Sequence, residues 1–149
     1  MNKKILWVDD DYYAIKGLFR PLELIDFRIV PAISALDGYR KAQNWQEYDI
    51  IVVDLIIPIS QEQETAPEIV KNWGDETENK HVGVGIVKWL VKTLNVTCPV
   101  VILSVVRDPI KSYGLEKLGL AGCIQKGELL PSRLKDQVEQ ILISVNKSS

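Results

Sequence analysis

Five polar residues stand where apolar runs stop, and together their types suit phosphoryl chemistry. Asp9 and Asp10 follow Ile5-Leu6-Trp7-Val8, Asp54 follows Ile50-Ile51-Val52-Val53, Ser104 follows Val100-Val101-Ile102-Leu103, and Lys126 follows Cys123-Ile124-Gln125. Carboxylates gathered in one pocket repel one another, which raises at least one pKa unless a cation neutralises them. A hard divalent ion does so, and Mg²⁺ takes a few carboxylate oxygens together with water and phosphate. A lysine opposite such a cluster supplies positive charge to a phosphoryl group, and a serine hydroxyl supplies one hydrogen bond.

The elements that must carry these residues are legible in the apolar spacing. The β-branched run Ile50 to Val53 reads as a strand buried on both faces, as in the middle of a parallel sheet, and Pro58 turns the chain away after it. Ile5–Val8, Phe27–Val30, Pro99–Leu103 and Ala121–Gln125 read as four more strands. Between them, Ile15, Leu18, Phe19 and Leu22 predict a helix capped by Asp11, with a kink or fraying at Pro21. Ser34 and Asp37 form a capping-box pattern that opens a second helix through about Ala42.

Val87, Leu90, Val91 and Leu94 mark a third helix, and Asp108-Pro109 starts a fourth that runs to roughly Leu118. Leu134, Val138, Ile141, Leu142 and Val145 trace the apolar face of a fifth. Five strands alternating with five helices predict an α/β fold, a doubly wound five-stranded parallel sheet. In the strand order 2-1-3-4-5 those five polar residues meet at one sheet edge, and Asp9, Asp10 and Asp54 flank the switch point between strands one and three.

The 149 residues imply one domain, 1–149, with an acidic insertion at about 59–82. That insertion has no sustained period and carries Glu62, Glu64, Glu68, Asp75, Glu76 and Glu78 against Lys71 and Lys80. A net charge of -2 gives no reason to expect a direct nucleic-acid surface. No apolar run suits a signal peptide or a membrane span, and Cys98 and Cys123 read as buried free thiols in a reducing cytoplasm. His81 reads as a solvated loop residue, and Trp73 as a residue that could contact a partner.

The set Ile5-Leu6-Trp7-Val8-Asp9-Asp10-Asp11, Val53-Asp54-Leu55-Ile56-Ile57-Pro58, Leu103-Ser104 and Gln125-Lys126 resembles the receiver domain of two-component response regulators, a flavodoxin-like fold. The resemblance implies that Asp54 accepts a phosphoryl group from a sensor histidine kinase or a phosphotransfer protein. It implies that Asp10, Asp54 and the backbone carbonyl of Ile56 hold Mg²⁺ directly, with Asp9 acting more through water, and that Ser104 and Lys126 contact the phosphoryl group. It implies a signalling domain rather than an enzyme, which passes its state to a downstream protein target and can form a homodimer.

Four departures from the family pattern bear on how such a domain would switch. The interval from Asp54 to Ser104, 104 minus 54 or 50 residues, is longer than is usual in the family, and the insertion supplies the excess. Val105 stands where receivers keep a very small residue, Cys123 where they commonly have a mobile aromatic, and Gly127 where they have proline. A switch would then bias the loop after strand four or the insertion, which is expected to gate the site or form a partner surface. Two other readings remain: a receiver-like interaction module that works without phosphorylation, and a metal-dependent phosphohydrolase with Asp54 as nucleophile.

Overall fold

Every run read as a strand is one, and each sends alternate side chains into two apolar layers. The computed structural model describes residues 2–58, 66–76 and 81–148. Strands β1 (Lys3–Val8), β2 (Phe27–Ala32), β3 (Ile50–Asp54), β4 (Val100–Ser104) and β5 (Gly122–Gln125) form one parallel sheet in the order β2-β1-β3-β4-β5. Leu6, Val8, Ile51, Val53 and Ile102 enter one layer, whereas Ile5, Trp7, Ile50, Val52, Val101 and Leu103 enter the other. This period-2 alternation makes β3 and β4 buried along their whole length.

Helices cover both faces. On one side lie α3 (Ala35–Ala42), α4 (Glu68–Glu76) and α5 (Val82–Lys92); on the other lie α1 (Tyr12–Ile15), α2 (Arg20–Leu24) and α7 (Pro131–Ser148). A single turn, α6 (Pro109–Ser112), follows β4. The capping box at Ser34 is present: its hydroxyl accepts from the Asp37 N–H at 3.1 Å, and the Asp37 carboxylate accepts from the Ile33 N–H at 3.2 Å. Gly38 weakens that helix by propensity but serves its packing, since a Cβ there would lie 3.0 Å from Val8 Cγ1.

The first helix departs from expectation because proline cannot sit inside it. The chain makes a 3₁₀ turn at Lys16–Phe19 and restarts as α2 with Pro21 in the first helical turn, where its missing N–H costs nothing. Asp11 occupies the cap position of α1 without a side-chain cap bond; its carboxylate faces Lys126 at 3.6 Å instead. The predicted fourth helix likewise stops at Ser112. Gly114 takes φ +64 and a 3₁₀ turn at Glu116–Leu118 follows, while Asp108, at φ 51, makes no side-chain cap bond.

The insertion is not irregular throughout. Ala66, Val70 and Trp73 recur at helical spacing and are buried, so α4 docks on α5. Trp73 is 3% exposed and meets Trp89 at 5.5 Å and Tyr39 at 6.4 Å between ring centroids, which makes it a core residue rather than a partner contact. Glu62, Glu64, Glu78 and Lys80, on which the expected gate partly rests, lie outside the described residues. Cys98 and Cys123 are free thiols as expected, but half-buried.

Candidate functional site

The strand register decides what meets at the carboxyl edge. Val8 is level with Val53, Asp54 with Leu103, and Ser104 with Gln125, so Asp9, Asp54, Ser104 and Lys126 emerge side by side. Asp9, Asp10 and Asp54 each place a carboxylate oxygen within 4.8 Å of the other two. Asp9 and Asp54 are buried and Asp10 is exposed, so the cluster opens to solvent on one side.

Lys126 closes the cluster from the fifth strand. Its ammonium donates to Asp54 Oδ2 at 2.8 Å and to Asp9 Oδ1 at 3.0 Å. Asp54 Oδ1 accepts from the Ile56 N–H at 3.0 Å, so the turn after β3 orients the carboxylate. Asp9 is fully buried and both its oxygens are engaged: Oδ1 also accepts from the Asp11 N–H at 2.9 Å, and Oδ2 from the indole N–H of Trp7 at 3.3 Å.

These surroundings set the charges. Burial pushes the Asp54 carboxyl up to about 6, against the opposing pull of its hydrogen bonds to Lys126 and Ile56. Burial, then the charges of Asp11 and Asp9, also raise Asp10. For Lys126 burial acts downward, but hydrogen bonds and charge from Asp54 and Asp9 outweigh it and raise its pKa. A lysine so paired remains an ammonium at neutral pH, and Asp54 is largely ionised there.

A cavity of about 410 Å³ lies over this floor, lined by Asp10, Asp11, Asp54, Ile56, Pro58, His81, Val105 and Lys126. Ser104 does not line it. It is fully buried, and its hydroxyl accepts from the Val106 N–H at 2.9 Å, so it shapes the loop behind the cavity. Val105, 56% exposed, stands at the mouth. Gly127 has open space around it, and nothing within 4 Å would meet a Cβ there.

Sequence reasoning missed three contributors. Trp7 lies two positions before Asp9 on the same strand face, and a buried indole N–H needs an acceptor, so this bond was legible in principle. Gly83 is the second: a Cβ there would lie 2.0 Å from the Asp54 carbonyl oxygen, so only glycine lets α5 touch β3 at the acceptor residue. His81 is the third. It is half-buried at the start of α5, packs edge-on against Tyr113 at 5.3 Å and lines the cavity, contrary to the solvated-loop expectation.

The order β2-β1-β3-β4-β5, helices on both faces and acids at the carboxyl ends of β1 and β3 have close counterparts among solved structures. The fold is that of response regulator receiver domains. A two-component response regulator from Clostridium difficile matches with a TM-score of 0.67 at 21% identity, covering 97% of this chain and 99% of that one. Chemotaxis protein CheY4 of Vibrio cholerae matches at 0.66 and 18%, covering 95% and 99%. A CheY-like receiver domain protein from Methanospirillum hungatei matches at 0.63 and 17%, covering both chains fully.

No protein-family model matches the sequence, and a search of curated proteins finds no relative. The receiver likeness is thus one of architecture, and the site rests on its own geometry. Among the described residues no helix is long and apolar enough to cross a membrane.

Proposed function

We propose that this chain is a receiver of two-component signalling that takes a phosphoryl group onto Asp54 from a sensor histidine kinase or phosphotransfer protein in the cytoplasm. One observation carries the reading: in a receiver fold, a buried carboxylate at the end of the central strand is paired at 2.8 Å with a lysine and shares its pocket with two further acids. A carboxylate oxygen of Asp54 attacks phosphorus, the bond from phosphorus to the donor breaks, and the donor keeps its electron pair. Such a transfer needs alignment and charge neutralisation more than covalent help from the protein.

The donor set fits Mg²⁺, since Asp9, Asp10 and Asp54 offer only oxygens and Lys126 offsets only part of their charge. Asp10, Asp54 and the Ile56 carbonyl are the proposed direct ligands, with Asp9 behind them; the ion would supply charge neutralisation to the transferring group. Lys126, paired with Asp54 at 2.8 Å, would turn to the phosphoryl oxygens once the group is on that carboxylate. The phosphorylated state is read by a downstream protein, and the chain's own chemistry is limited to accepting and losing the group.

A second reading, a receiver-like module that works without phosphorylation, is favoured by the withdrawal of Ser104 from the cavity wall. An amide NMR titration with Mg²⁺ and then beryllofluoride separates the two. Shifts centred on Asp10, Asp54 and Lys126 that vanish in Asp54→Asn are expected. Resonances that stay still would sink the phosphoacceptor reading and leave the interaction module.

A further inference from the structure

We propose that His81 is a catalytic residue of this site, the base that takes a proton from water when the phosphoryl group on Asp54 is hydrolysed. It thereby sets how long the signal lasts. The inference rests on the phosphoacceptor reading above.

Placement comes first. His81 opens α5, and the Gly83 contact with the Asp54 backbone ties that end of the helix to the acceptor residue. The His81 carbonyl accepts from the Val84 N–H at 3.0 Å, which anchors its backbone, and Tyr113 packs edge-on against its ring. The imidazole is thus held on the wall of the cavity whose floor is Asp54 and Lys126.

Chemistry singles it out. Among the other described residues of the cavity, Ile56, Pro58 and Val105 offer carbon, Asp54 is the acceptor itself, Lys126 is a paired ammonium, and Asp10 belongs to the acid cluster. Asp11 lies 3.6 Å from the Lys126 ammonium. His81 is outside the carboxylate group that could hold a metal, and imidazole is the side chain best suited to move a proton at neutral pH. A cavity of about 410 Å³ has room for both a phosphoryl group and a water beside it.

The step balances. Water oxygen bonds to phosphorus, the bond from phosphorus to the Asp54 oxygen breaks, and its electron pair returns to Asp54 as a carboxylate. The water proton passes to a His81 ring nitrogen, and inorganic phosphate leaves.

The test uses the whole chain phosphorylated by acetyl phosphate with Mg²⁺, the donor then being removed. His81→Ala and His81→Gln should lengthen the half-life of the phosphorylated protein by roughly 100-fold. Added imidazole should restore part of the rate in His81→Ala, a rescue that a merely structural histidine would not give. Beryllofluoride should shift the same amides in both variants as in wild type. Unchanged half-lives with intact beryllofluoride binding overturn the role of His81, as does a lengthening that imidazole leaves untouched. Wild type that neither binds beryllofluoride nor accepts phosphoryl removes the phosphoacceptor reading, and this inference with it.

Discussion

The two crossovers that flank β4 treat the same site in opposite ways. From β3 to β4 the chain passes through α4 and the eleven-residue α5, whose Val82 to Val87 are buried and whose Trp89 joins Trp73 and Tyr39 in an aromatic cluster. From β4 to β5 it makes one turn of helix, a left-handed Gly114, a 3₁₀ turn and a left-handed Gly119. One wall of the cavity is therefore braced by core packing. The other combines local turns with a few buried anchors, Pro109, Leu115 and Leu118, and a bond from Gln125 Nε2 to the Val105 carbonyl at 3.1 Å. Low packing density is where local opening is easiest, so the β4–β5 side is the side expected to move.

Removing the brace gives the largest effect. Trp73→Ala should cost about 3–5 kcal/mol in urea unfolding, as deletion of a buried tryptophan does. Tyr113→Ala, on the half-buried turn opposite, should cost no more than about 1–2 kcal/mol. Equal losses would break the contrast.

Glycines test it through the backbone. Gly83→Ala drives a methyl into the Asp54 carbonyl and should cost about 3 kcal/mol, because neither α5 nor the central strand can yield cheaply. Gly114→Ala meets open space and has only its positive φ to resist it, about 1 kcal/mol. Urea midpoints of the two variants would show whether close approach or local conformation dominates.

The floor between the crossovers should respond to pH. The Asp54 carboxyl titrates near 6 in the fold against an ordinary 3.8, so the folded state holds this proton more tightly. The stability it contributes is fully present below about pH 4 and is lost as pH rises through about 6, on the order of 2–3 kcal/mol. Asp54→Asn should remove that part of the pH dependence, measured as the difference between pH 4 and pH 7. If Trp73→Ala keeps the dependence, the floor stands apart from the braced wall.

A last effect concerns the floor alone. Trp7→Phe keeps an aromatic ring against Phe19 but deletes the N–H donated to the buried Asp9 carboxylate, and should cost about 1.5 kcal/mol. A neutral outcome would mean that Asp9 is held by Lys126 and the Asp11 N–H without help.

Much of the molecule was legible in the sequence because buried parallel strands write themselves as apolar runs, and four of the five runs end at a residue of the candidate site. Asp9, Asp54 and Lys126 stand at the carboxyl edge of the sheet, where the ends of their apolar runs put them. The helices were harder. Pro21 and Gly114 redirect the backbone over a few residues, and the two buried positions of α4, Val70 and Trp73, were too few, between Pro67 and Gly74, to announce a period.

By itself the sequence determined five strands alternating with helices, hence a parallel sheet with the acids and lysine at one edge, while the strand order came with the receiver resemblance and is seen in the fold as β2-β1-β3-β4-β5. Tertiary structure alone decided how those residues are used. Whether Ser104 lines the cavity or lies behind it, whether Trp73 is surface or core, and whether His81 is solvated or lines the cavity depend on distances between segments remote in the chain. Such distances follow from how α4, α5 and the β4–β5 turns pack on the sheet, and no local pattern encodes them.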